Sequence, residues 1–91
     1  MKFKTGAVVM TRGVSDTIEG NSEFFNDVMI AFNRYTNCDW GELCAEDKAS
    51  NEDALKNGYR LLGKYKTSEG SIYIITEWDR SVTTILFPDE Y

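Results

Sequence analysis

The chain has 91 residues, 42% of them hydrophobic, 13% aromatic and 27% charged, with no histidine, one proline and a net charge of −5. A chain of this length buries roughly 64% of its unfolded surface, so a single domain over residues 1–91 is expected, needing neither metal nor disulfide to hold it. Without histidine, a Ser-His-Asp triad or a Cys-His pair cannot be assembled from this chain, and the commonest metal ligand is missing.

The first apolar run, Gly6 to Met10, is too short for a membrane span or a signal-peptide core, so no membrane association and a cytoplasmic location are expected. Thr5–Thr11 (TGAVVMT) reads as a strand that Arg12-Gly13 ends with a turn. Asp16 and Glu19 mark at most one helical turn, because Gly20-Asn21 cuts the segment short. With Asn21 or Ser22 as N-cap, the next segment is the clearest helix of the chain. Phe25, Val28, Met29 and Phe32 form its apolar stripe, and Phe24, Ala31 and Tyr35 widen it.

Residues 36–51 are polar and acidic; a short helix over Glu42–Ala49 is expected, then a second capped by Ser50 or Asn51 and stopped at Asn57-Gly58. Tyr59–Lys66, Ser71–Trp78 and Val82–Phe87 read as three strands joined by short loops, a meander. In the middle one Ile72, Ile74, Thr76 and Trp78 alternate with Tyr73, Ile75 and Glu77, so neither face is plainly polar and a central position is expected. The fold class is therefore α+β. An antiparallel sheet, made of the N-terminal strand and the C-terminal meander, carries one long amphipathic helix and short helices.

Charge is the most specific chemical feature. Between Cys38 and Asp53 stand six acids, Asp39, Glu42, Glu46, Asp47, Glu52 and Asp53, against one base, Lys48; the rest of the chain is neutral on balance. These acids, with Trp40, read as a docking surface for a basic protein partner; acids at helix N-termini, placed there by the macrodipole, account for the same pattern. The bases are scattered, so direct nucleic-acid binding is not expected. Cys38 and Cys44 have five residues between them and no second ligand pair, which fits buried, reduced thiols and no metal site.

An alternative reading places a small-ligand or peptide pocket at the hairpin tip, lined by Trp78, Asp79 and Arg80. It requires the tip to neighbour the acidic segment. Acid–base catalysis by Glu77 or Asp79 is disfavoured, since nothing buries those carboxylates or positions a substrate, and no cofactor is called for. A small sheet with exposed edges admits a monomer or a strand-paired homodimer.

Across CDWGELCAEDKASNEDALKNGYRLLGKY and IYIITEWDRSVTTILFPDEY, and at the opening KTGAVVMTRGV, the chain resembles the small "plasmid-related protein" families of Gram-positive conjugative elements. The resemblance implies a mobile-element context and brings no enzyme class, cofactor or catalytic residue. Small acidic accessory proteins of such elements include inhibitors of host restriction and immunity, a context compatible with the acidic segment.

Overall fold

A computed structural model describes residues 2–91. The chain runs β1 (Ala7–Met10), α1 (Arg12–Ile18), α2 (Ser22–Thr36), α3 (Ala45–Asn57), β2 (Leu61–Thr67), β3 (Gly70–Thr76), β4 (Val82–Leu86) and a 3-10 turn over Pro88–Glu90. The four strands form one sheet in the order β1-β4-β3-β2. The meander is antiparallel and β3 is internal, as its alternation implies. The first strand corrects the expectation: it pairs with β4 in parallel, from Ala7 opposite Val82 to Met10 opposite Ile85, so the sheet is mixed and not purely antiparallel. Chain parity is the reason. The long helical crossover after β1 gives β2 the same direction as β1, and a three-strand meander ends running the way it began, so β4 is parallel to both.

One face of the sheet, with Leu61, Tyr65, Ile72, Ile74 and Ile85, takes the apolar side of α2. That side is Phe24, Val28, Ala31 and Tyr35, and the expected stripe was rotated from it: Phe25 and Met29 stand nearly half-exposed. The helix carries two adjoining apolar stripes about 100° apart, each with correct spacing. Specific contacts choose between them, because Phe24 stacks on Phe87 at 5.7 Å and the Tyr35 hydroxyl lies 2.6 Å from Thr76 Oγ1. On the opposite sheet face Ile75 and Leu86 are also buried.

Helix α1 is longer than the single turn expected, because its cap comes from the far end of the chain. The Glu90 carboxylate accepts from Thr11 Oγ1 at 2.6 Å, from the Gly13 amide at 3.1 Å and from the Phe87 amide at 3.0 Å. It thereby covers the orphan donors of the first turn and sits where the helix dipole favours an anion. A Cβ on residue 13 would push that carboxylate out of its capping position.

The two short helices expected around residues 42–57 are one helix, α3, stopped by Gly58 in the left-handed conformation at φ 71°. Ser50 and Asn51 do not cap. Ser50 Oγ bonds back to the Glu46 carbonyl, and Asn51 turns inward to β2, donating to Leu62 O at 2.6 Å and accepting from Leu62 N at 3.1 Å. Asn51 thus supplies a strand-like partner to an outer edge that would otherwise lack one.

Candidate acidic and aromatic rim

The acidic segment divides into structural and surface acids. Asp39 belongs to the first group: Arg34 donates to both its oxygens, Nε to Oδ2 at 2.8 Å and Nη2 to Oδ1 at 3.2 Å, and the Gly41 amide donates to Oδ1 at 3.2 Å. Those bonds to Arg34, and then to the Gly41 amide, hold its carboxyl below the usual carboxylate range. Arg34 also lies over the Tyr65 ring at 5.3 Å, and the Tyr65 hydroxyl donates to the Asp39 carbonyl at 2.7 Å. The result is a tight clasp between the end of α2 and β2.

Trp40 is the core plug of this segment and not a docking anchor, with only 3% of its surface exposed. Its indole contacts the rings of Phe3 and Tyr35, and its Nε1 donates to Glu52 at 2.8 Å. The backbone around it seals the outer edge of β2, since Lys64 N donates to Trp40 O and Glu42 N donates to Lys64 O. Gly41 lies in this bridge at φ 79°, where a Cβ would collide with the Lys64 carbonyl. Burial pushes the Cys38 thiol up, reinforced by Glu52; both cysteines are unpaired, with Cys44 exposed and Cys38 half-buried.

Glu42, Glu46, Asp47 and Asp53 remain on the surface, with no cationic group in ion-pair range among the described residues. Glu46 and Asp47 occupy the first turn of α3, where the dipole accounts for them. Asp53 does not have that explanation, because it lies toward the C-terminal end; its carboxylate is bonded to Asn57 Nδ2 at 2.7 Å. Among the described residues no three His, Cys, Asp or Glu side chains converge as a metal would require.

At the second predicted site the three residues play separate parts. Asp79 makes the turn: its Oδ1 accepts from Ser81 Oγ at 2.6 Å and from Ser81 N at 3.1 Å, which lowers its carboxyl below the usual range. Arg80 is a clamp. From the left-handed region, at φ 60°, it donates to the carbonyls of Tyr59 (2.7 Å), Glu77 (3.1 Å) and Trp78 (3.3 Å) through Nη1, and to that of Ala54 (3.1 Å) through Nη2. Trp78 lies beyond the end of β3 and points outward, 67% exposed, with Tyr59 57% exposed at the same end.

The tip and the acidic helix are therefore neighbours, as the pocket reading requires, yet the residues meant to line a pocket are bonded to backbone or turned to solvent. Two depressions lie elsewhere. One of about 540 Å³ is bounded by Ile18, Gly20, Asn21, Ser22 and Phe25, and another of about 230 Å³ is walled by Arg60, Glu77, Glu90 and Tyr91. Arg80 was expected to line a pocket and instead binds backbone; its four acceptors are carbonyls from separate stretches of chain, which no local window of sequence could show.

No helix among the described residues is long and apolar enough to cross a membrane. No family model, curated protein or solved structure matches this chain.

Proposed function

We propose that this is a non-enzymatic interaction protein that binds a basic protein partner through a rim formed by the outward acids of α3 and the exposed aromatics beside its C-terminus. The observation that carries this reading is the Arg80 clamp, which fixes Tyr59 and Trp78 to the last turns of α3 next to Asp53. Exposed tryptophan and tyrosine beside unpaired carboxylates combine what an interface needs: an anchor with large apolar area, and charges that steer a basic surface toward it. Glu46, Asp47 and Asp53 on α3, with Glu42 just before it, supply the field; Asp39, Trp40 and Glu52 hold the segment in shape. The mobile-element resemblance directs the search toward host defence and nucleic-acid-binding proteins as the partner.

The test is affinity capture from host lysate at low and raised salt, using wild type, Trp78→Ala, and a variant with Glu42→Gln, Glu46→Gln, Asp47→Asn and Asp53→Asn together. A basic protein held by wild type, released by salt and lost to both variants supports the reading. Exposed charges are screened beyond about 8 Å at physiological ionic strength, so the salt response is a required part of the signature. Equal capture by all three forms, each shown to be folded, overturns it.

A further inference from the structure

We infer that the free edge of β1 is a self-association site, at which a second copy of this chain pairs antiparallel with β1 across a twofold axis through Val9. This goes beyond the acidic rim and does not depend on it. The inference starts from the two edges of the sheet, which are finished differently. On β2 the outward backbone groups of Leu62 and Lys64 are occupied, by the Asn51 side chain and by the Trp40–Glu42 segment. On β1 the amides of Ala7 and Thr11 donate to Ser81 O and Ile85 O of the β4 side, so the alternate residues Val8 and Met10 present their N–H and C=O groups outward. Among the described residues nothing bonds to them.

Side chains and charge favour the same edge. Residues 5–11 carry no charge, whereas β2 carries Lys64 and Lys66. Lysines on an edge discourage strand addition, and their absence from β1 leaves it open to pairing. Val8, Val9 and Met10 are each 43–46% exposed, and so, at 45% and 47%, are Phe25 and Met29 on the flank of α2. That flank faces the β1 side: it continues to Thr36, whose carbonyl accepts from Lys2 N, while the opposite flank bonds the β2–β3 turn through Asp27 and stacks on β2 through Arg34. Val8, Val9 and Met10 thus leave uncharged apolar surface along the open edge.

A second copy fits the free groups without remainder. With Val8 opposite the partner copy's Met10, each such pair exchanges two hydrogen bonds, and the two pairs together consume the outward donors and acceptors of both strands. Gly6, at φ 62°, and Thr11, the N-cap of α1, end the strand on either side, which limits pairing to this register. The copies would meet at the edge farthest from α3, so their acidic segments lie well over a Debye length apart and do not oppose association. The contact is small, below about 1,200 Å² for the pair, which places it among transient associations.

The test uses the full chain in sedimentation equilibrium from micromolar to millimolar concentration, with amide hydrogen exchange followed by NMR over the same range. The expected result is a monomer–dimer equilibrium in which Val8 and Met10 amides gain protection as the dimer fills, while the Val9 amide is protected throughout. Met10→Lys, at an exposed position, weakens association at least a hundredfold without changing the circular dichroism of the monomer. A chain that stays monomeric at millimolar concentration overturns the inference, as does a dimer whose Val8 and Met10 amides remain unprotected. The wild-type exchange data decide the matter even if the lysine variant fails to fold.

Discussion

Replacing Thr76 by valine tests the polar chain that crosses the core. Tyr35 Oη lies 2.6 Å from Thr76 Oγ1, Thr76 Oγ1 lies 2.7 Å from Thr83 Oγ1, and Thr83 donates to the Thr5 carbonyl at 2.7 Å. The carbonyl can only accept and each hydroxyl has one proton, so the direction is fixed: Tyr35 donates to Thr76, Thr76 to Thr83, Thr83 to Thr5. Tyr35, Thr76 and Thr83 have no exposed surface. Thr76→Val keeps the shape but leaves the Tyr35 proton without an acceptor and one Thr83 lone pair without a donor. An orphaned buried group costs about 1–3 kcal/mol, so the total is about 2–4 kcal/mol. Tyr35→Phe removes only the terminal donor and costs about 0.5–1.5 kcal/mol.

The double variant separates this chain from simple packing loss. Once Thr76 is valine, the Tyr35 hydroxyl is a buried liability, and deleting it as well restores about 1 kcal/mol or more. Urea unfolding followed by circular dichroism, with unchanged slope, reads the three midpoints. The expected order of stability is Tyr35→Phe first, then the double variant, then Thr76→Val alone. A double variant less stable than Thr76→Val by the full Tyr35→Phe cost would refute the directed chain.

Arg80→Ala removes a guanidinium shared by four carbonyls and should cost about 2–4 kcal/mol in thermal or urea unfolding. Arg80→Gly should cost about 1 kcal/mol less, because glycine relieves the left-handed backbone that alanine does not. Asn51→Ala strips Leu62 of partners for both its N–H and C=O and should destabilise by about 2–4 kcal/mol, with faster amide exchange at Leu62 as the local readout. The Asp39 carboxyl is lowered in the folded state by Arg34, so its contribution is present above the ordinary carboxylate pKa and is lost as pH falls through the lowered value. Arg34 and Asp39 are 40% and 51% exposed, which keeps that contribution below about 1 kcal/mol; in an NMR titration Arg34→Gln should move the Asp39 midpoint upward.

Elements whose signals are local were legible in the sequence, and those determined by distant partners were not. The Asn21 cap, the Gly58 stop and the alternation of β3 are read within a few residues, and the structure bears them out. The length of α1 depends on Glu90, which is 77 residues from Gly13, so no window around Asp16 contained its cap. Ser50 and Asn51 look like caps because such residues prefer caps; the burial of Asn51 against β2 overrode that preference. The register of α2 was ambiguous because Phe24/Phe25, Val28/Met29 and Ala31/Phe32 offer two apolar stripes, and only Phe87 and Thr76 decide which faces inward. At the rim the charge of the acidic segment was visible, but its division was not: Asp39 and Glu52 are tied to Arg34 and Trp40, while Trp78 and Tyr59 join the acids through Arg80.

The asymmetry of the sheet links the two proposed surfaces. The β2 edge is closed at Leu62 and Lys64 by Asn51 and Trp40–Glu42, the segment that also carries the acidic helix, so closing that edge and presenting the acids come from the same stretch of chain. The β1 edge is left open three strands away, about 14 Å across the sheet. A twofold contact there leaves both rims uncovered at the outer ends of an eight-stranded sheet, about 34 Å from one β2 to the other. Self-association and partner capture should therefore be separable. Met10→Lys should abolish the dimer and leave one-to-one partner affinity unchanged, and Trp78→Ala should do the reverse. Only a partner surface that repeats its basic site at that spacing gains avidity from the dimer. An immobilised partner at low and high density distinguishes the cases, since the advantage of wild type over Met10→Lys should appear at high density alone.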